Sequence, residues 1–252
     1  MQVEPGWGLA AALVALVVVA VVVSAVGRLR QERQIASAAA RAVVQLAAVS
    51  LVIAAALASW WWSALVVLVM VGVAVATAAR RTGAGRAWPW VALAMLTGLL
   101  PVLTVVFLSG AVPWQPAALV PVAGIVIGGT MTALSLAGRR AFAGLREERG
   151  AYEAGLSIGL PRAEAVGLVV DRRLPEALLP GMDQTRTVGL VTLPGAFIGV
   201  MLGGGSPVQA GAAQVLVLCA LLAAQTIVVS VVGRLVRAGR LLPADLRHDL
   251  PR

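Results

Sequence analysis

The chain has 252 residues, of which 60% are hydrophobic and 12% charged, with a formal net charge of +9 and a mean hydropathy of +0.93. That balance excludes an ordinary soluble enzyme and places the chain in the membrane class. The excess of arginine does not signal nucleic acid, because it sits at the ends of apolar runs, as membrane orientation alone requires.

Taken in chain order, charge-free stretches long enough to cross about 30 Å of hydrocarbon predict seven spans, at 7–26, 42–58, 60–79, 87–108, 117–137, 188–203 and 210–233. The runs are continuous rather than alternating, so the expected fold class is an all-α integral membrane protein and not a barrel. The second and third runs meet at Ser59 and Trp60 with hardly any loop.

Arginines follow the first, third, fifth and seventh runs, while the connections 59–62, 109–116 and 204–209 carry no charge. The positive-inside rule then puts the N-terminus outside and the C-terminus in the cytoplasm. Trp60, Trp61, Trp62 and Trp114 fall at the expected outer interface, and Trp88 and Trp90 near the inner one. The opening MQVEPGWG has no basic leader and reads as part of the mature chain. The single cysteine, Cys219, lies in the seventh run and allows no intrachain disulfide.

Several kinds of machinery are missing. The sequence contains no lysine, hence no GxxxxGK[ST] phosphate loop, and its single histidine, His248, lies in the tail. No HExxH, CxxC or histidine cluster offers a metal centre. No acid lies within an apolar run, which counts against an ion-driven secondary transporter. The expectation is a non-catalytic membrane subunit without a cofactor of its own, in contact with lipid and driven from outside the chain.

The largest polar segment, 138–187, holds eight arginines and seven of the eleven acids. A helix is expected over 142–157, with Gly159 as its C′ residue, followed by a second helix that Pro161 opens and that continues through 162–173. Pro175 and Pro180 then interrupt the chain. One reading is an amphipathic segment resting on headgroups. The balance of both charges favours the other, a surface addressed to a protein partner, since a lipid-facing helix carries mainly cations.

In the sixth run Gly195, Gly199 and Gly203 recur every four residues, a stripe suited to close helix approach within one subunit, at a dimer interface or along a pathway. Pro194 is expected to kink that helix where the stripe starts, and the run is short, which suggests a bent or partly unwound helix. Gln45, Gln214 and Gln225 read first as interhelical glue. Thr130, Thr132 and Ser135 are positioned to bond back to their own helix. Asp183 and Arg186 form an i,i+3 pair, either a solvated contact or a latch between the short helices and the Pro194 kink.

Glu153, Ala154 and Gly159, with Pro175 beyond, resemble the EAA-type loop of ABC importer permeases, in which a short cytoplasmic helix docks on the ATPase. A longer string is more specific: Ala154 to Gly159 with Pro161 and Ala163, then Pro180, Asp183, Arg186, TVGLVTLPG, and Ser206, Pro207, Ala210 and Gln214. Upstream, Arg41, Gln45 and Leu46 match, and Pro121, Gly124, Gly128, Met131 and Leu136 match more loosely. Over about 41–232 the chain thereby resembles the FetB family (UPF0014-type) of ABC permease subunits, whose plant members are linked to aluminium tolerance.

The resemblance implies a homodimeric permease in the bacterial inner membrane, paired with a cytoplasmic ATPase that binds ATP and magnesium, and assigned to iron export and metal homeostasis. Positions 1–252 would form one permease domain and 138–187 its coupling segment. Glu153, Ala154, Gly159, Pro161, Ala163, Asp183 and Arg186 would serve ATPase coupling. Arg41, Gln45, Met131, Pro194, Gly195, Gly199, Gly203, Pro207 and Gln214 would serve the gate or pathway. The spans offer only Met131, Met201, Cys219 and neutral oxygens as metal donors, whereas iron favours carboxylate or imidazole. A chelated metal, a lipid-like molecule or an organic solute fits equally, as does a membrane-embedded regulatory protein that recruits a partner without transport.

Overall fold

The computed structural model describes residues 6–249. The first five residues, read above as part of the mature chain, and Arg252 lie outside the described residues.

The first compact unit is Met1–Ala55. Helix α1 (Trp7–Val26) ends in a Schellman turn, with the Leu29 amide donating to the Ser24 carbonyl at 2.9 Å and the Arg28 amide to that of Ala25 at 3.1 Å. Arg28 takes the left-handed backbone, φ 54°, that glycine usually supplies there. The buried Ser24 hydroxyl donates to Glu32 at 3.1 Å and accepts from the Gln31 amide at 3.2 Å, which ties the start of α2 (Glu32–Ala58) to the end of α1. Helix α2 begins well before the apolar run at 42, since helical backbone hydrogen bonding is indifferent to the charged side chains Glu32, Arg33 and Arg41.

The second unit, Ala56–Arg252, contains the buried core. It comprises α3 (Trp60–Arg81), a 3-10 turn Gly85–Ala87, α4 (Trp88–Leu108), α5 (Pro116–Glu147), α6 (Arg149–Ser157), α7 (Arg162–Arg173), a 3-10 turn Leu174–Leu178, α8 (Leu179–Thr187), α9 (Gly195–Leu202), α10 (Pro207–Arg237) and α11 (Ala244–Asp249). Helices α5 and α10 form the axis, with α4 against both and α3 against α5. Close approach relies on missing side chains. A Cβ at Gly98 of α4 would overlap Val228 and lie 2.7 Å from the Ala224 carbonyl oxygen, and one at Gly129 of α5 would overlap Leu221 of α10.

One end of this unit gathers aromatic rings: Trp114 lies 5.2 Å from Trp60 and 5.4 Å, edge to face, from Phe107, centroid to centroid. At the other end Arg240 stacks over Trp90, 4.7 Å from its centroid. The two tryptophan groups expected at opposite interfaces thus sit at opposite ends of α4. Helix α10 starts with Pro207 at its first position and a capping box, Ser206 accepting from the Gln209 amide at 3.2 Å while the Gln209 side chain accepts from the Ser206 amide at 2.9 Å.

Among the described residues six helices, not seven, are long and apolar enough to cross a membrane, and no element is a strand. The sixth expected span, 188–203, is the exception. Val188 leaves α8 with extended backbone, Gly189 takes φ 81°, and the Gly189 amide bonds the Thr192 carbonyl at 2.9 Å in a tight turn. Only eight residues, α9, return to helix, about 12 Å at 1.5 Å per residue. Pro194 does not kink this helix but caps it, at φ −68° and ψ 156°. The helix expected over 142–157 is also divided. Its first part belongs to α5, and Glu148, at φ −108° and ψ 33°, separates it from α6.

Gly181 of α8 lies against Gln225 of α10, whereas Ala196, Gly199 and Val200 of α9 share a cavity wall with Ala213, Leu216 and Val217. Between α8 and α9 the chain therefore advances along α10 by about 13 Å, the rise of nine helical residues. The interval 179–202 is a broken element and not one helix.

Candidate functional site

Helices α6 and α7 form a hairpin mounted across the ends of α5 and α10. Its elbow follows from two residues. Gly159, at φ 87°, closes α6 in a Schellman turn, its amide donating to Leu156 and that of Leu160 to Gly155, both at 3.0 Å. Pro161 then stands as the N-cap of α7, one position earlier than expected.

The two helices touch closely because Gly155 has no side chain: a Cβ there would come within 3.0 Å of Leu168 and 3.2 Å of Ala165. Tyr152 is fully buried beside it, and Ala165, Val166, Val169 and Val170 bury the inner face of α7. The outer face carries Glu153, Ala154, Gly159, Pro161 and Ala163, all exposed. With them stands Ile158, 78% exposed at the apex. The five expected hairpin residues therefore share one surface. Ile158 was missed, although it directly precedes Gly159. Gly155 and Tyr152 were missed too, although their i,i+3 spacing marks one helix face.

Ion pairs fix the hairpin to its mount. Arg173 at the end of α7 reaches Glu148 at 2.5 Å and Glu147 at 3.2 Å, and its hydrogen bond with Glu148 is the main cause of a pKa raised above the usual arginine value. Asp171 pairs with Arg237 of α10 at 2.8 Å, and Arg140 of α5 with Glu176 at 2.9 Å. Glu153 pairs with Arg149 of its own helix at 2.8 Å. Six of the seven acids in 138–187 are thus matched by arginines of this chain, Glu164 being the exception among the described residues. The mixture of charges is largely internal bracing, a distinction that composition alone does not make.

Asp183 and Arg186 meet at 3.5 Å on α8, and both are exposed. Helix α8 packs on α10 and on the 174–178 turn, so the pair is not brought to the hairpin.

The gate candidates disperse. A cavity of about 380 Å³ lies between α4, α5, α9 and α10, with a wall that includes Val106, Pro121, Ile125, Gly199, Val200 and Leu216. Of the gate candidates Gly199 lines it. A Cβ at Gly195 or Gly199 would meet open space, so the stripe is not a packing groove between described helices. Gly203 is the C-cap of α9. Met131 packs, partly buried, against the core. Pro207 serves the start of α10. Gln214 is 95% buried by its 5% exposure, and its Oε1 finds no partner. Gln225 donates weakly to the Gly129 carbonyl at 3.5 Å, joining α10 to α5 as glue would. Thr130, Thr132 and Ser135 do bond back to their own helix, at 2.7 to 3.0 Å. Arg41 and Gln45 are exposed on α2, in the first unit. Among the described residues no three His, Cys, Asp or Glu side chains converge.

A family model described as "Uncharacterised protein family (UPF0014)" matches residues 7–239. The chain is 33% identical over 164 residues to the UPF0014 membrane protein STAR2 of Oryza sativa subsp. japonica, covering 65% of this chain and 58% of that one. It is 31% identical over 164 residues to the protein ALUMINUM SENSITIVE 3 of Arabidopsis thaliana, covering 65% and 60%. To the probable iron export permease protein FetB of Escherichia coli (strain K12) it is 31% identical over 125 residues, covering 50% and 48%. The matched stretch thus spans roughly half to two thirds of these relatives. No solved structure matches. With nearly its whole length under one family model and its apolar helices in place, this chain belongs to the UPF0014 family of membrane proteins.

Proposed function

We propose that this chain is the transmembrane subunit of an ABC transporter of the bacterial inner membrane, working as a homodimer with a separate cytoplasmic ATPase that binds ATP and magnesium. The observation that carries the reading is the α6–α7 hairpin. Its inner face is locked to α5 and α10, while its outer face presents Ile158, Ala154, Pro161 and Ala163 between the flanking acids Glu153 and Glu164. An exposed apolar apex on a rigid mount suits insertion into a cleft of another protein, since a small buried apolar cluster supplies most of the affinity of an interface.

In this reading the N-terminus faces outward and the C-terminus inward. The interval 179–202 serves as a broken crossing, which keeps the odd number of crossings that the arginine distribution demands. Closure of the ATPase pair moves the hairpin. Because Arg173 and Asp171 tie it to α5 and α10, the movement passes to the helices that wall the cavity. Chemistry stays on the partner, and this chain supplies the path.

Iron or another metal species is the cargo suggested by the relative from Escherichia coli. A second reading of the cargo, a lipid-like or organic solute, is favoured by the apolar cavity wall. Co-expression with a candidate ATPase tests the subunit assignment. Wild-type chain should retain the ATPase through purification and Glu153→Ala/Gly159→Val should lose it; equal retention by that variant would sink the docking assignment. ATPase stimulation in vesicles by ferrous ion or by an apolar solute separates the two cargo readings.

A further inference from the structure

Three arginines from two separate parts of the second unit converge on one hollow of about 310 Å³, lined by Trp90, Arg162, Gly239, Arg240 and Arg247. Each is placed by a distinct contact. Gly239 turns the chain at φ 68°, and the Arg162 guanidinium lies over it, its atoms 3.6 to 3.7 Å from where a Cβ would stand. Arg240, the next residue, stacks on Trp90 in the first turn of α4. Arg247 of α11 donates to the Leu242 carbonyl at 3.4 Å, and α11 is itself held by the Arg146–Asp245 pair at 2.7 Å.

Six other arginines of this unit, Arg140, Arg146, Arg149, Arg173, Arg186 and Arg237, pair with acids. Here none of the three pairs with a carboxylate among the described residues. The Nε of Arg162 is buried and makes no hydrogen bond. Gathering like charges around one concavity costs free energy unless an anion occupies it. Guanidinium forks arriving from different directions suit a tetrahedral group with several acceptor oxygens.

We propose that this hollow is a phosphate-binding site. Its source is the headgroup of an anionic phospholipid or free phosphate. The neighbouring Trp90, in the first turn of a membrane-length helix, places the hollow at headgroup level and favours the lipid. The site joins the α6–α7 elbow, through Arg162, to the segment that follows α10. It stands whether or not the chain transports anything.

The test uses the purified chain in detergent, offered phosphatidylglycerol or phosphatidylcholine and weighed intact by native mass spectrometry, with a parallel titration by inorganic phosphate. Preferential retention of phosphatidylglycerol, weakened about fivefold by each of Arg162→Gln and Arg240→Gln, supports the lipid source. Binding of inorganic phosphate with the same dependence, and displacement of lipid by it, supports the free anion. Arg247→Gln leaves both the Gly239 and Trp90 contacts in place and carries the test if the other variants misfold. Arg80→Gln, at the end of α3, should bind as wild type. Unchanged binding of both ligands by a folded Arg162→Gln/Arg240→Gln/Arg247→Gln chain overturns the proposal. So does loss of ATPase capture alone, which would assign the arginines to an acidic protein surface.

Discussion

Arg173 closes on Glu148 at 2.5 Å, joining the last turn of α7 to the residue at which α5 gives way to α6. The hairpin is therefore fastened at its base by ion pairs, while its elbow is held through the Arg162 side chain over Gly239. Arg173→Ala should speed amide exchange in 149–173 several-fold while leaving α4 and the middle of α10 unaffected. Glu148→Ala should do most of the same, and the double variant should add little beyond Arg173→Ala, because both remove the Arg173–Glu148 contact. Mass spectrometry of deuterium uptake checks this.

The α4–α10 contact predicts a steric effect with a built-in control. Gly98→Val places new atoms on Val228 and should destabilise the chain by about 1–3 kcal/mol. Val228→Ala should recover part of that loss. Gly199→Ala, which meets nothing within 4 Å, should stay within about 0.5 kcal/mol of wild type. Thermal unfolding in detergent ranks the three.

The elbow depends on a backbone that side chains resist. Gly159→Ala forces a Cβ into φ 87° and should cost about 1–2 kcal/mol locally, although open space surrounds the position. Gly150→Ala on the same helix, with ordinary φ and no neighbour within 4 Å, should be neutral or slightly stabilising. Limited proteolysis near 158–161 should separate the two variants.

Acid should loosen α11. Arg146 donates to Asp245 at 2.8 Å and holds its carboxyl below the usual aspartate range. The folded pKa being depressed, the pair contributes stability above the unfolded aspartate value of about 3.9, and that contribution disappears as pH falls through the lower folded value. Exchange in 244–248 should therefore rise below about pH 4 in wild type. Arg146→Gln should show the faster exchange already at neutral pH. The pair is half exposed, so high salt should mimic part of the effect.

Much of this architecture was legible because hydropathy and helix length are tied together in a bilayer. The runs at 60–79, 117–137 and 210–233 lie inside observed helices, that at 87–108 coincides with α4 but for Ala87, and the elbow followed from Gly159 and Pro161. The run at 188–203, expected to be bent or partly unwound, breaks more completely than by a kink at Pro194, and the break has a physical cause. An apolar run fixes the solvent of a segment but not its backbone, and Gly189 with Pro194 gives the chain a turn and a cap where a helix was expected. The ion pairs were illegible for another reason. Arg146 and Asp245, or Asp171 and Arg237, are distant in sequence, and charge balance within 138–187 cannot reveal which partners fold together.

Helix α9 has no buried residue, and its glycines face open space. Local stability in a protein follows the density of buried contacts. The frame of α4, α5 and α10 should therefore open only with global unfolding, whereas α9 can detach at small energetic cost. An apolar segment of this kind is a weakly attached part whose resting position is set by its surroundings, and whatever shares its face in the membrane determines where it stands.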